Sequence, residues 1–182
     1  MHRADQANIA ITSLWNGEHA PAQWHTNLTV KRRPNHMSIE FTAPWAKNPL
    51  PQAPVGQLMG LWEFEVVELF FAGENQRYTE LEFGPGGHYL ALNFSEVRKP
   101  WAEQPRLDYH ASTAGSIWRG SAKISYEFLP ATIKSWNAYR IFNRQDQRVH
   151  MAAHGLPGDK PDFHRLDSFA PCPLYHSNPS SK

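Results

Sequence analysis

Cysteine is almost absent. Cys172 is the only one in 182 residues, which excludes an internal disulfide and a thiolate metal cluster and suits a reducing compartment. Long apolar runs are missing too. No stretch approaches the ~20 residues of a membrane span, and the opening MHRADQANIAITSLWNG lacks the apolar centre of a signal peptide, so the expectation is a cytoplasmic protein with no membrane partner. Charge of one sign is absent: 18 basic residues face 17 acidic ones, a net +1, so no general field gathers phosphate backbones and nucleic acid is not an expected partner. Helical periodicity is lacking as well. No segment of ten or more residues repeats apolar positions at i, i+3, i+4 and i+7 with caps, leaving 130–135 as one helical turn at most.

What is present is alternation. Short runs of period two, bounded by Pro, Gly and Asn, predict strands at 8–15, 27–33, 37–43, 63–71, 77–83, 88–94, 107–113, 116–129, 136–143 and 149–153. Arg33-Pro34-Asn35-His36 and Gly84-Pro85-Gly86-Gly87 read as hairpin connections. The expected fold class is therefore all-β, an antiparallel two-sheet β-sandwich forming a single domain over 1–176, with a disordered tail at 177–182. Two stretches resist a strand reading, 43–58 with four prolines and 155–173, and long irregular segments of this kind often carry binding.

Aromatic residues are plentiful, with seven Trp, six Tyr and ten Phe, and most must fill the core. The telling run is Leu61-Trp62-Glu63-Phe64-Glu65-Val66-Val67-Glu68-Leu69-Phe70-Phe71. Both of its faces are apolar, which predicts a central strand with Glu68 in an apolar row, where a lone carboxylate must find a partner or hold its proton. Arg98 is the expected partner. On the next strand Tyr78, Glu80 and Glu82 share one face. An antiparallel neighbour could add Tyr89 and Asn93 to it, with Arg98 and Trp101 following. Such a face suits a neutral polyhydroxylated ligand, because aromatic planes cover C–H faces while carboxylate and guanidinium groups take paired hydroxyls. The alternative for the same residues is an ordinary solvated outer face with a structural Glu68–Arg98 salt bridge.

Trp62 six residues before Glu68, then Tyr78-x-Glu80 and the Gly-Pro-Gly-Gly hairpin, resembles the family 9 carbohydrate-binding modules and the wider DOMON-like superfamily, most closely its uncharacterised bacterial branch. The likeness runs from the N-terminal strands to the Pro161-Asp162-Phe163-His164 loop. It implies a jelly-roll-like, noncatalytic sandwich that binds sugar between two aromatic walls, sometimes with a structural calcium nearby. Trp62 would be one wall, Glu68 the hydroxyl-binding carboxylate and Arg98 its guanidinium partner. Phe163 and His164 stand where sugar-binding members carry a second Trp.

Two other chemistries compete. Some DOMON-like domains bind b-type haem through Met and His, and Met59, Met151, His150 and His154 are available, although the absent leader weighs against haem. Glu65, Glu68, Glu80 and Glu82 could include a glycosidase pair. Neither has a motif behind it: there is no Gly-x-Ser-x-Gly, phosphate loop or His-Glu-x-x-His, and no cofactor or catalytic residue is expected.

Overall fold

The computed structural model describes residues 4–102 and 104–174; the tail expected at 177–182, and His176, lie outside them. Among the described residues thirteen strands form, in chain order: β1 (Gln6–Ile11), β2 (Ser13–Leu14), β3 (Thr26–Arg32), β4 (His36–Pro44), β5 (Val66–Ala72), β6 (Tyr78–Phe83), β7 (Tyr89–Glu96), β8 (Lys99–Pro100), β9 (Asp108–Ala114), β10 (Ile117–Ser125), β11 (Ser135–Arg144), β12 (Gln147–Ala152) and β13 (Ala170–Pro171). They make two antiparallel sheets. One runs β1-β3-β4-β10-β9 and the other β2-β12-β11-β5-β6-β7-β8, with β13 added beside β11. The all-β sandwich read from the sequence is the fold. Helical structure among the described residues is confined to four three-residue 3-10 turns, and the turn expected at 130–135 forms instead at Tyr126–Phe128. No helix among them is long and apolar enough to cross a membrane.

The five-stranded sheet keeps one wet face. Along β10, Trp118, Gly120, Ala122 and Ile124 turn inward while Arg119, Ser121 and Lys123 turn out, the period-two pattern of a half-buried strand. Gly120 is required by packing, since a Cβ there would lie 2.2 Å from the Phe41 ring. Opposite this face stand Val67, Leu69, Phe71, Leu81, Phe83 and Ala138 of the larger sheet, closing the inter-sheet core.

The larger sheet is different, because every residue of β5 and of β6 is buried. Its outer side chains, among them Val66, Phe70, Tyr78, Leu92, Phe94, Tyr139 and Ile141, form a second apolar cluster roofed by Leu61, Phe163 and Phe169 from irregular segments. The segment 155–173 that resists a strand reading thus carries structural weight, and Leu58 at the end of 43–58 packs against the same cluster.

Glu65, just before β5, points into the sandwich and meets Arg140 of β11 at 3.2 Å, with both side chains 1% exposed. Arg140 also donates to the carbonyls of Trp24 (3.0 Å) and Pro44 (2.6 Å) and lies over the Phe142 ring, while Glu65 accepts the Ala46 N–H at 2.9 Å. Glu65 is therefore unavailable to any outer site. Removing one member of a buried pair strands the other. Glu65→Ala should lower stability by about 3–5 kcal/mol, read as a shifted denaturation midpoint at unchanged slope; a loss below about 1 kcal/mol would show the pair to be dispensable.

Candidate functional site

A cavity of about 650 Å³ opens between the outer face of the eight-stranded sheet and the loops covering it. Of the ten residues singled out in the sequence it gathers seven: Trp62, Glu68, Glu80, Arg98, Trp101, Phe163 and His164. Glu68 of β5 and Glu80 of β6 project from the sheet into it. Trp62 comes from the 3-10 turn Leu61–Glu63 rather than from the head of a strand, after Gly60 in a left-handed conformation at φ 83°. Trp101 follows β8. Phe163 and His164 come from the late loop, where the second wall was expected. Met59, Trp62 and Trp101 remain 64%, 41% and 43% exposed, so half of the six large apolar side chains exposed among the described residues border this one cavity.

Tyr78 stands behind the wall and sets it. Its hydroxyl accepts the Arg98 backbone N–H at 3.0 Å and lies 2.6 Å from His164 Nδ1. Arg98 takes a left-handed φ of 61°, and its guanidinium donates to Asp162 Oδ1 at 2.7 Å, an oxygen that also accepts the His164 N–H at 3.1 Å. Phe163 stacks on Tyr139, centroids 3.9 Å apart. Burial, seconded by the Arg98 charge, pushes the His164 imidazole down to about 4, so the ring is neutral at physiological pH.

Tyr89 and Asn93 are elsewhere. In the β6–β7 register Thr79 faces Asn93, Glu80 faces Leu92 and Phe83 faces Tyr89, so Tyr89 and Asn93 share the inner side with Thr79 and Phe83. Asn93 Oδ1 accepts the Thr79 hydroxyl at 2.7 Å instead of reaching the cavity. A one-residue change of register flips every side chain to the other face. The apolar residues Leu90, Leu92 and Phe94 thereby join the outer cluster, which is possible only because that cluster is roofed.

Glu68 is buried, as its apolar neighbours require, but Arg98 is not its partner; Arg98 is engaged by Asp162. Directly across the strands from Glu68 lie Tyr139 and Glu82. The opposing charge that acts on Glu68 is Arg148, whose guanidinium is tied to the carbonyls of Trp62 and Phe64 and so fixes the Trp62 turn. Burial, then the neighbouring carboxyls, holds Glu68 and Glu82 well above the usual carboxylate range, and burial pushes Glu80 up to about 7. Glu82 has no hydrogen-bond donor at either oxygen among the described residues, so its contact with Glu80 forms only through a shared proton.

The sequence reading did not select Arg148 or Asp162: Arg148 reaches the Trp62 carbonyl and Asp162 the Arg98 guanidinium across long separations, and the local Asp162 contact with the His164 N–H involves backbone, which residue pattern does not show. Nor did it separate the four histidines and methionines of the haem reading: Met59 and His150 border the cavity, whereas Met151 sits in the inter-sheet core and the His154 backbone is held by Asn137. Among the described residues no three or more His, Cys, Asp or Glu side chains are grouped to hold a metal ion.

Raised carboxyls make stability depend on pH. The fold favours neutral Glu80, a contribution fully present below the unfolded value of about 4.3 and lost as pH rises through about 7. Glu80→Gln should therefore leave stability almost unchanged near pH 4 and raise it on the order of 3 kcal/mol near pH 8, measured by denaturant unfolding at both. An equal effect at the two pH values would place the Glu80 carboxyl in water.

No family model matches the chain. The fold is similar to that of a solved Bacteroides uniformis protein that has been proposed to bind carbohydrate, with a TM-score of 0.67 and 13% identity over 90% of this chain and 84% of that one. By sequence, the mouse UPF0462 protein C4orf33 homolog is 32% identical over 177 residues, 90% of each chain. The zebrafish homolog is 33% identical over 156 residues, 80% of this chain and 79% of its own, and the human UPF0462 protein C4orf33 is 29% identical over 175 residues, 89% and 85%. These relatives are vertebrate proteins, where the motif resemblance pointed to a bacterial branch. By its identity to them over nearly its whole length, this chain belongs to the UPF0462 family.

Proposed function

We propose that the cavity binds a sugar or sugar-like small polar ligand and holds it without turning it over. The observation that carries this reading is the meeting, in one cavity, of the partly exposed Trp62 and Trp101 with the buried carboxyl groups of Glu68 and Glu80. At about 650 Å³ the space lies within the range of small-molecule sites. Trp62, Trp101 and Phe163 offer planes for C–H faces, and Glu68 and Glu80 offer oxygens for hydroxyl donors. The likeness in fold to a protein proposed to bind carbohydrate lends support at the level of architecture.

Binding fits better than hydrolysis because Glu68 and Glu80 stand side by side on one wall, on adjoining strands β5 and β6. Glycoside hydrolysis sets its two carboxyls on either side of the scissile bond.

A screen of mono- and disaccharides by thermal shift and calorimetry tests the reading, since a ligand that binds only the folded state raises its melting temperature. Trp62→Ala should weaken the ligand so found by about 1–3 kcal/mol, the scale of stacking on an aromatic platform, with an unchanged far-ultraviolet spectrum. Equal affinity in the variant would remove Trp62 from the site.

A further inference from the structure

We infer that the ligand of this cavity carries a cationic nitrogen, an amino sugar rather than a plain sugar, and that Glu68 and Glu80 are its counter-charge; this rests on the sugar-binding reading above. Glu68 and Glu80 are 2% and 5% exposed, they line the cavity, and among the described residues neither accepts a hydrogen bond from any donor except a neighbouring carboxyl. Glu82, sealed beneath them, faces Glu68 across the strand pair. Three carboxyls thus crowd one buried patch, and among the described residues no cation forms an ion pair with any of them, the Arg148 charge acting on Glu68 from farther off.

The cations nearby are already engaged. Arg98 is bound to Asp162 at 2.7 Å, and Arg148 is held by the Asn143 side chain and the carbonyls of Trp62 and Phe64. Buried unpaired anions are costly, so without a ligand the patch keeps protons it would lose in water. A neutral sugar would leave it in that state. An ammonium group would let a carboxyl ionise against it, and in a low-dielectric site that attraction far exceeds its value in water. The walls favour the same charge, because the faces of Trp62, Trp101 and Phe163 attract cations through their ring quadrupoles. His150 and His164 oppose it little, since burial lowers both imidazoles toward the neutral form. The proton balance follows: the carboxyl O–H bond breaks, the carboxylate pairs with the bound ammonium, and one proton leaves to solvent for each ligand taken up.

The experiment titrates the full-length protein, just below neutral pH, with glucosamine, glucose, N-acetylglucosamine and tetramethylammonium, following tryptophan fluorescence and calorimetric heat in two buffers of different ionisation enthalpy. Glucosamine should bind at least about tenfold more tightly than glucose or N-acetylglucosamine and release close to one proton. The E68Q and E80Q variants should lose that preference and the proton release while still melting cooperatively. Glucose or N-acetylglucosamine binding as tightly as glucosamine would overturn the inference and leave the sugar reading standing. Tetramethylammonium binding while no sugar binds would uphold the cation and overturn the sugar. Failure of all four probes at millimolar concentration would overturn both.

Discussion

The eight-stranded sheet is buried on both faces, and the rest of the molecule answers to that constraint. A sandwich needs only one face of each sheet covered, and the five-stranded partner obeys, leaving Arg119, Ser121 and Lys123 in water. The larger sheet instead carries Phe70, Leu92, Phe94, Tyr139 and Ile141 outward, a surface that no third sheet covers. Irregular chain must cover it, and irregular chain covers incompletely. The cavity is the gap in that roof, so apolar burial generates the site.

The roof is held by a few long-range ties. Arg148 fastens the Trp62 turn from β12, and Asn48 exchanges hydrogen bonds with the Asn143 backbone at 2.9 Å and 2.7 Å. On the other side Tyr78 bonds both the Arg98 turn and the His164 loop. The Tyr78 bonds and the Arg148–Phe64 bond are partly buried and so cost more to break than a surface bond, whereas the Asn48–Asn143 pair and the Arg148–Trp62 bond lie at the solvent edge. Loops anchored in this way hold aromatic side chains in place before a ligand arrives, which reduces the ordering that binding must impose.

Fold class was legible because alternation and turn chemistry are local signals, and nearly every predicted strand forms within a few residues of its range. The site was legible where one strong feature marked it, as with Glu68 in an apolar row or Trp62 before it. It was not legible where the answer depended on which face was wet. Tyr89 and Asn93 were placed on the acidic face on the premise that an acidic face is solvated and an apolar one is core. Here both are buried, and hydrophobic pattern cannot then distinguish two registers that differ by one residue in the Gly84 to His88 connection. The Glu68–Arg98 pairing failed for a related reason. Sequence offers the nearest unused cation, whereas Asp162, distant in sequence, had already claimed it.

The Tyr78 cluster settles how the rim can speak to a ligand. The Tyr78 oxygen accepts the Arg98 N–H and lies 2.6 Å from His164 Nδ1, so one ring nitrogen of His164 is committed to a contact behind the wall. The ring is kept neutral by burial. Contacts behind the wall thus hold the ring of this lining residue in place. Carboxyl oxygens on the floor and N–H groups at the rim give the cavity two unlike ends. Both ends are set by burial, which raises the carboxyls of the sheet and lowers the imidazole of the loop, so the polar character of the cavity follows from the same covering of the outer face that creates it.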